Sequence, residues 1–322
     1  MSDTILLTGG TGIVGNAIAA ELIRRSRRVR ALVRSLERGR ALLPAACELV
    51  QGDVTDAESV RRAIDGCAVV YHAAGLPEQW FADRDVFERV NVGGTRNVAD
   101  VARAAGVARF VYTSTIDVFA CSPGVAFDEA TIAGAPKPTH YERSKQAADR
   151  YVSGLVGAGF PAVFLHPSAV YGPVPAASPG LNQLVADLAR GKIPMLLPGG
   201  MPVVYAGDVA TGHVLAEAAA PGSRFILSES YWTLVAMAEA VAERTGAKVP
   251  RVMPSFVAHG VAAAGEALSR LTGKAPLIPH GQLLFLESHT VPDAARARRE
   301  LDWQPLAFRE ALPATLEFVL GR

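Results

Sequence analysis

The sequence predicts an α/β protein with a doubly wound parallel sheet and a smaller, mostly helical lobe. Strand-like apolar runs alternate with helical patterns through the first half of the chain, and a glycine turn follows the first run. Parallel strands need a crossover, usually a helix, so this alternation is typical of a sheet with helices on both faces. The predicted strands are residues 4–8, 29–33, 48–51, 68–72, 109–113 and 162–165.

The first predicted strand leads into a turn with glycines at three-residue spacing, Gly9, Gly12 and Gly15, and then into a helical pattern that continues to Arg25. Glycines at these positions permit a tight turn, close approach of the backbone to a pyrophosphate, and packing of the helix on the strand. The helix N-terminus would then face the anion. The spacing differs from the standard G-x-G-x-x-G fingerprint. A dinucleotide site and a simple strand-to-helix turn therefore both remain open at this point.

Tyr141 and Lys145 are four residues apart, which places a phenol and an ammonium on one face of a helix. A free tyrosine has a pKa of roughly 10. A nearby cation lowers that pKa by favouring the phenolate, so the side chain exchanges a proton near neutral pH. The same spacing occurs on ordinary helices, where the ring is half-buried and the lysine is solvated. The pair is therefore either an acid–base pair or an ordinary helix face.

Composition limits the class of protein. With 322 residues, 50% of them hydrophobic and 20% charged, the chain is long enough to bury a large core. The formal net charge of +1 gives no general attraction to nucleic acid or to acidic membranes. The first residues contain no apolar stretch long enough for a signal core or a membrane span, so we expect a cytoplasmic protein.

The cysteines and histidines agree with this expectation. Cys47, Cys67 and Cys121 form no C-x-x-C pair and leave an odd count, which suits a reducing compartment. The seven histidines are scattered without the spacing of a metal site. No metal is predicted.

The glycine turn and the Tyr/Lys pair together resemble the extended short-chain dehydrogenase/reductase family, also called the epimerase/dehydratase superfamily. The resemblance covers essentially the whole chain and implies a Rossmann fold that binds a nicotinamide dinucleotide. Further segments carry the resemblance in order: Asp53-Val54, His72-Ala73-Ala74-Gly75, Asn91-Val92-Gly93-Gly94-Thr95-Arg96-Asn97-Val98, Thr113-Ser114-Thr115 and Val170-Tyr171-Gly172-Pro173.

The resemblance also implies two lobes that are discontinuous in sequence. After Pro173, prolines punctuate short elements, and helical patterns dominate from Tyr231 onward. In this family a segment such as Asp208-Val209-Ala210 returns the chain to the nucleotide domain. We predict a dinucleotide-binding domain of residues 1–172 and 203–228, and a substrate-binding lobe of residues 173–202 and 229–322.

The family's chemistry implies a role for each candidate catalytic residue. Tyr141 would exchange a proton with the substrate oxygen, and Lys145 would bind the nicotinamide ribose and lower the tyrosine pKa. Thr115 would hold the substrate oxygen, with Ser114 as the neighbouring alternative. The resemblance implies cofactor contacts from Gly9, Gly12, Ile13, Gly15, Arg34, Asp53, Val54, Ala73, Ala74, Tyr141, Lys145 and Pro167.

Arg34 at the end of the second strand favours NADP(H) over NAD(H). NAD-selective folds place an acidic residue there to accept hydrogen bonds from the ribose 2′-hydroxyl. A guanidinium instead pairs bidentately with a 2′-phosphate. The alternative is a solvated arginine on an arginine-rich surface, with Arg38 as a substitute or helper. Glu37 lies three residues too late to serve as the usual ribose acceptor.

The substrate lobe argues against a nucleotide sugar. Enzymes of this superfamily that act on nucleotide sugars usually carry Asn where this chain has Ala169, and an Arg before the D-V-A segment, where residues 200–205 have no charge. Residues 254–276 and 297–305 instead resemble the 3β-hydroxysteroid dehydrogenase and dihydroflavonol reductase branch. We expect a ketoreductase or alcohol dehydrogenase for a bulky, largely apolar, cyclic small molecule. The alternatives are a nucleotide-sugar epimerase or dehydratase, and a cofactor-binding sensor without turnover.

Three further expectations accompany this assignment. The helices at 83–105 and 139–157 pack across a two-fold axis in many family members, so we expect a homodimer, although their apolar residues could face the sheet instead. Trp80 is expected either to contact the substrate or to pack in the core. His166 replaces the Arg common before the proline of this motif, with no assigned effect.

Overall fold

The computed structural model describes residues 4–77 and 81–321. Its strands, in chain order, are β1 (Thr4–Thr8), β2 (Arg28–Val33), β3 (Glu48–Gln51), β4 (Val69–His72), β5 (Arg109–Thr113), β6 (Ala126–Phe127), β7 (Ala162–Pro167), β8 (Ala169–Tyr171), β9 (Met195–Leu196), β10 (Gly200–Tyr205), β11 (Arg224–Leu227), β12 (Ser230–Thr233), β13 (Arg251–Val252) and β14 (Val291–Pro292).

Helices connect these strands. The α-helices, in chain order, are α1 (Ile13–Arg24), α2 (Leu36–Leu42), α3 (Ala57–Ile64), α4 (Asp85–Phe87), α5 (Gly94–Ala104), α6 (His140–Gly157), α7 (Leu181–Ala189), α8 (Ala206–Ala216), α9 (Leu234–Thr245), α10 (Ser255–Thr272), α11 (His280–Glu287), α12 (Ala295–Leu301) and α13 (Phe308–Leu320). A π-helical turn spans Glu88–Gly93, and a 3-10 turn spans Ile116–Val118.

Within the described residues, seven strands form one sheet in the order β11-β7-β5-β4-β1-β2-β3, and all of its pairings are parallel. The predicted doubly wound fold and its strands are confirmed. The chain moves outward in one direction from β1 and in the other from β4, so the strand order reverses between these two strands. Ligands of such sheets bind at this reversal, outside the ends of the strands. We call that edge of the sheet the carboxyl edge.

The core follows the alternation of side chains along the strands. Ile5 and Leu7 of β1 pack into one cluster and Leu6 into another, and all three are fully buried. Side chains alternate between the two faces of a strand, so each cluster covers one face of the sheet. A third cluster, with Tyr171 and Phe308 among its members, fills the region formed by α7, α9 and α13.

A second sheet of three strands has the order β12-β10-β8 and includes one antiparallel pairing. Residues 230–233 form β12, so the helical part of the chain begins at Leu234 and not at Tyr231 as predicted. The segment Tyr231-Trp232-Thr233 consists of aromatic and β-branched residues, which suit a strand that pairs with β10. The division into two discontinuous lobes stays a prediction.

The segment predicted as a helix over 83–105 is helical, but it includes the π-helical turn. Val98 and Val101 of α5 are buried in the core beside the main sheet, so the alternative that these residues face the sheet is confirmed for them. Val90, Tyr151 and Leu155 are only partly buried. The homodimer itself stays a prediction. Trp80 lies outside the described residues.

Candidate active site

The glycine turn brings the ends of β1 and β4 together. The φ of Gly9 is +75°, in the left-handed region, and a Cβ there would lie 2.4 Å from backbone atoms of Ala73 and Ala74. A Cβ on Gly15 would lie 2.2 Å from the carbonyl oxygen of Gly9. Contacts this short exclude a side chain at either position. The turn therefore packs closely against the loop after β4, and both positions require glycine.

The N-terminus of α1 suits an anion. Gly12 is the N-cap, no side chain in the described part of the chain caps the helix, and its first turn contains no acidic residue. The first N–H groups of a helix have no partner within the helix and carry partial positive charge. Ile13, the first helical residue, is partly buried. These residues fit the pyrophosphate of a dinucleotide, the group that the sequence predicts here.

Arg34 follows β2 directly and is exposed. Among residues 4–77 and 81–321, neither Arg34 nor Arg38 forms an ion pair. Ser35 caps α2 by accepting a hydrogen bond from the backbone N–H of Arg38. Arg34 thus lies at the carboxyl edge, and no carboxylate of the described residues neutralises either guanidinium group.

Asp53 and Val54 follow β3 at the same edge. The Oδ1 of Asp53 accepts hydrogen bonds from the backbone N–H and the hydroxyl of Thr55, each 2.9 Å long. Val54 is buried and packs against Gly94, where a Cβ would lie 2.7 Å from the Cγ2 of Val54. The carboxylate of Asp53 is thus engaged within its own loop, and Val54 fixes the start of α5.

Asn91, in the π-helical turn, joins the loop after β4 to α6. Its Oδ1 accepts from the backbone N–H of Leu76 (2.8 Å), and its Nδ2 donates to the Leu76 carbonyl (3.3 Å) and to the Ser144 hydroxyl (2.9 Å). A Cβ on Gly75 would lie 3.4 Å from the Asn91 Oδ1 and 4.0 Å from the Lys145 Nζ. The space between Asn91 and Lys145 is therefore narrow and is bordered by glycine backbone.

Lys145 is buried in the second turn of α6. Its Nζ donates to the carbonyl oxygen of Thr113 at the end of β5 (3.1 Å) and lies 5.4 Å from the centre of the Tyr112 ring. Burial lowers the pKa of Lys145 to about 8, because it disfavours the charged form, while the carboxylates of Asp149 and Asp117 act in the opposite direction. The ammonium still predominates at neutral pH.

Tyr141 lies in the first turn of α6, one turn before Lys145. The helix begins with a capping box, in which Thr139 accepts from the backbone N–H of Glu142 and the Glu142 carboxylate accepts from the backbone N–H of Thr139. The ring of Tyr141 is partly buried and meets Phe87 edge to face, with 6.4 Å between ring centres. The cap fixes where the helix starts and therefore which residues share the face of Tyr141.

Thr115 caps the 3-10 turn after β5. Its Oγ1 lies 2.9 Å from the Oδ2 of Asp117 and accepts a weaker bond, 3.3 Å long, from the Asp117 backbone N–H. Its carbonyl oxygen lies 3.1 Å from the Nδ1 of His166. The threonine is buried. The hydroxyl expected to hold the substrate oxygen is therefore already hydrogen-bonded to a carboxylate.

Ser114 takes part in a buried polar network. Its hydroxyl donates to the Oδ2 of Asp149 (2.6 Å), and Arg224 on β11 donates to both carboxylate oxygens of Asp149 (2.7 and 3.1 Å). The guanidinium lies 4.1 Å from the centre of the Phe164 ring. Burial alone would raise the pKa of Asp149, but it lies below its ordinary value because Arg224 and Ser114 donate to the carboxylate.

His166 belongs to the same network and is fully buried. Burial lowers its pKa to about 3, so the ring is neutral. Its Nε2 lies 3.1 Å from an Arg224 nitrogen that can only donate, which places the ring hydrogen on Nδ1 and makes Nδ1 the donor to the Thr115 carbonyl. The motif commonly has an arginine at position 166. In this protein Arg224 places a guanidinium beside that position.

The predicted site residues lie at the carboxyl edge of the main sheet. The structure joins Gly9 to Ala73 and Ala74, and Lys145 to the end of β5 two residues before Thr115. Pro167 ends β7 and is buried. Arg34 and Asp53 lie farther along the edge, at the ends of β2 and β3.

Sequence reasoning gave no role to Asn91, Asp117, Asp149 or Arg224. Asp149 is four residues after Lys145, a spacing that indicates a shared helix face, so its position was open to prediction. Arg224 was not, because its partner lies 75 residues away in sequence. In the described part of the chain, no cluster of three or more His, Cys, Asp or Glu side chains is arranged to hold a metal ion. None of the described helices is long and apolar enough to cross a membrane.

Comparison with known proteins decides the family. Residues 5–226 match the model of the NAD dependent epimerase/dehydratase family. The chain belongs to this family. The predicted resemblance is thereby confirmed.

Relatives of similar length support the predicted branch. The chain is 30% identical over 313 residues to sterol demethylase protein B of Methylococcus capsulatus, covering 96% of this chain and 95% of that protein. It is 28% identical to a putative dihydroflavonol 4-reductase of a Synechocystis species, covering 97% and 93%. It is also 28% identical to a 3 beta-hydroxysteroid dehydrogenase/Delta 5-->4-isomerase of Mycobacterium tuberculosis, covering 96% and 89%.

Solved structures agree with the fold. The protein gox2253 superimposes with a TM-score of 0.83 at 29% identity, covering 99% of this chain and 98% of that chain. The UDP-glucose 4-epimerase of Thermus thermophilus, solved in complex with NAD, superimposes with a TM-score of 0.78 at 25% identity, covering 99% of both chains. One fold therefore includes relatives with reductase or dehydrogenase names and an epimerase, so the site must decide the reaction.

Proposed function

We propose that this protein is an NADP(H)-dependent ketoreductase or alcohol dehydrogenase that acts on a bulky, largely apolar, cyclic substrate. The observation that carries the proposal is the position of Lys145. Its buried ammonium lies 3.1 Å from the Thr113 carbonyl, one helical turn after Tyr141. A cation held there favours the phenolate of the tyrosine, as proton exchange with a substrate oxygen requires.

Each residue at the carboxyl edge has a separate role in the proposed reaction. When bound, the dinucleotide supplies or accepts the hydride. Tyr141 gives a proton to the substrate oxygen in reduction and takes one from it in oxidation. Lys145 keeps that proton mobile near neutral pH, and Thr115 hydrogen-bonds the same oxygen where negative charge develops. Asn91 connects the loop after β4 to the helix that carries Tyr141 and Lys145.

The dinucleotide would be held mainly by backbone and by Arg34. The glycine turn and the start of α1 fit the pyrophosphate, while Ala73 and Ala74 border the space beside it. The exposed guanidinium of Arg34, which pairs with no carboxylate among the described residues, suits a 2′-phosphate. This arrangement supports NADP(H) as the preferred cofactor.

Strands β8 and β10 lack the side chains that a sugar diphosphate would need. Ala169 begins β8 where an amide would be needed to hold a sugar diphosphate, and β10 contains only uncharged residues. These two paired strands thus offer a diphosphate neither an amide nor a cationic side chain. Two relatives are named for sterol or hydroxysteroid chemistry and a third for a dihydroflavonol, so polycyclic, weakly polar molecules are the proposed substrates.

The test is a binding and turnover screen. Titrate NADPH and NADH by fluorescence, then measure cofactor oxidation with cyclic ketones and reduction with the matching alcohols, using Tyr141→Phe as the inactive control. The proposal expects tighter NADPH binding and net consumption of NADPH with at least one cyclic ketone. Conversion of a UDP-, GDP- or dTDP-sugar without net cofactor consumption would replace it with an epimerase. Cofactor binding without turnover of any compound would favour a sensor.

A further inference from the structure

Asp117 is a carboxylate inside the candidate site that the mechanism above does not use. It is the second residue of the 3-10 turn, its side chain is partly buried, and its Oδ2 lies 2.9 Å from the Thr115 hydroxyl oxygen. Thr115 is the residue proposed to hold the substrate oxygen. The two side chains are two residues apart and belong to one short turn, so their contact is set by the backbone.

The surroundings of Asp117 come mainly from α6 and the loop before it. Glu142 repels the carboxylate, while Lys137 and Lys145 attract it. On the other side of Thr115, neutral His166 is hydrogen-bonded to the Thr115 carbonyl. Burial raises the pKa of Asp117 to about 6, with a contribution from Glu142. Both protonation states of this carboxyl are therefore populated at pH values where enzymes can be assayed.

Thr115 has one hydroxyl hydrogen, and Asp117 competes for it. An ionised carboxylate can only accept, so it takes the hydrogen and leaves the Thr115 oxygen as an acceptor. A protonated carboxyl can donate to the Thr115 oxygen, which releases the hydroxyl hydrogen for another partner. A ketone oxygen only accepts, and so does the substrate oxygen that bears negative charge in the transition state. The protonated state of Asp117 is therefore the one that frees the Thr115 hydrogen for the substrate oxygen.

We propose that Asp117 is a positioning residue that decides whether the Thr115 hydroxyl hydrogen is available to the substrate oxygen. The inference rests on the proposed function, since it needs a ketone or alcohol oxygen beside Thr115. With Asp117 protonated, Thr115 donates to the substrate oxygen as negative charge develops there. With Asp117 ionised, the carboxylate holds the hydroxyl hydrogen, and the transition state loses one donor. The proton exchanged by Asp117 comes from solvent, so no other reactant is required.

The first test does not depend on turnover. Carbon-13 NMR of protein labelled at the aspartate carboxyls gives the titration of Asp117, which is assigned by its loss in Asp117→Asn. We expect a midpoint near pH 6 in the wild type. Thr115→Ala should raise the midpoint by about one unit, because the ionised carboxylate loses a hydrogen-bond donor. A midpoint that Thr115→Ala leaves unchanged would overturn the proposal.

The second test measures the pH profile of kcat/KM for reduction of a ketone found by the screen. In the wild type, kcat/KM for reduction should fall by about tenfold or more as pH rises through Asp117's titration, because the transition state loses the Thr115 donor. Asp117→Asn and Thr115→Ala should each remove that inflection, and Asp117→Glu should restore one. Asp65→Asn, a change at an exposed carboxylate, is the matched control and should keep the wild-type profile.

A purely structural role would give a different result. Asp117→Asn would then change kcat by the same factor at every pH and would leave the inflection in place, which contradicts the proposal. Failure of the proposed function is distinct, because it appears as absence of ketone and alcohol turnover in the wild type. In that case the NMR titration still decides whether Asp117 and Thr115 exchange a hydrogen bond with pH.

Discussion

The Nζ of Lys145 donates a hydrogen bond to the carbonyl oxygen of Thr113 across 3.1 Å, and this contact joins the buried face of α6 to the end of β5. One helical turn later, Asp149 accepts a hydrogen bond from Ser114, the residue that follows Thr113. Two buried side chains of one helix thus hold adjacent residues at the end of one strand. Because Tyr141 precedes Lys145 by one turn, the same contacts position Tyr141 relative to Thr115.

Tyr141→Phe should abolish turnover and leave cofactor binding nearly unchanged, because it removes one hydroxyl and keeps the ring that contacts Phe87. Loss of an acid–base group costs about 10²–10⁴ in rate. Thr115→Ala should also retain cofactor binding and should slow turnover by about 10²–10³, the cost of one positioned donor. The measurements are kcat and the cofactor dissociation constant for both variants. Near-wild-type turnover in Tyr141→Phe would make the Tyr/Lys pair an ordinary helix face.

Lys145→Met should reduce both turnover and cofactor affinity, yet stabilise the cofactor-free protein near neutral pH. Burial holds the Lys145 pKa near 8, below the 10.5 of an unburied lysine, so the unfolded chain binds this proton more tightly than the folded protein. The buried ammonium therefore destabilises the fold below about pH 8, and this cost disappears as pH rises from about 8 to about 10. The difference of about 2.5 units corresponds to at most about 3 kcal/mol.

The measurement is thermal unfolding of wild type and Lys145→Met between pH 7 and 10 without cofactor. The variant should unfold at a higher temperature at pH 7, and the gap should close toward pH 10. Lys192→Met, at an exposed lysine, is the control and should show little change at either pH. A Lys145→Met protein that is less stable at pH 7 would mean that the hydrogen bond to Thr113 outweighs the cost of burial.

Gly15 was predicted from the sequence as a site residue, whereas Asp117 was not. Gly9 and Gly15 are close together in sequence, and the local spacing of strand, turn and helix was enough to predict the turn. The strands were predicted for the same reason, because alternation of apolar runs and helical patterns is a local property. Tyr141 and Lys145 needed only the helical repeat.

Contacts set by the sheet order could not be predicted in this way. Arg224 meets Asp149 because β11 lies beside β7, and Asn91, in the π-helical turn, meets Leu76, 15 residues away in sequence. The apolar periodicity of a sequence reveals neither the order of strands in a sheet nor the position of a π-helical turn. Asp117 was near enough in sequence to Thr115, but its role depends on burial, which only packing reveals.

Three buried, neutral histidines should each make the protein less stable as pH falls below about 6.5. Burial lowers the pKa of His72 and His166 to about 3 and that of His213 to about 4. Unfolded histidine has a pKa near 6.5, so the stability they contribute is present above about pH 6.5 and is lost as pH falls toward their folded values. Each histidine contributes a slope of about 1.4 kcal/mol per pH unit in that window.

Urea unfolding between pH 7 and 5 checks this slope. His213→Gln, which can still accept from Thr113, should reduce the slope by up to about 1.4 kcal/mol per pH unit. His289→Gln, at an exposed ring, is the control and should leave it unchanged. Equal slopes in wild type and His213→Gln would assign the acid sensitivity to carboxylates instead.

A homodimer that pairs α5 and α6 with the same helices of a second copy is expected in solution. Ala147, Tyr151 and Leu155 on α6 are only partly buried, so they have surface left for a partner. Ala147→Arg would place a charge in that apolar contact and should give a monomer by light scattering at micromolar concentration. Ala41→Arg, at an exposed residue of α2, should remain a dimer. A monomeric wild type would contradict the prediction, and these residues would then only pack within the protomer.

Arg34→Asp should reverse the cofactor preference. An aspartate at the end of β2 can accept from a ribose 2′-hydroxyl and repels a 2′-phosphate. Hydrogen bonds to charged groups contribute about 1.5–3 kcal/mol, so NADPH affinity should fall at least about tenfold while NADH affinity holds or improves. Fluorescence titration of both cofactors measures this, with Arg40→Asp, at another exposed arginine of the same cluster, as the matched control. Equal loss of both cofactors would mean that Arg34 shapes the loop, and unchanged NADPH binding would transfer the role to Arg38.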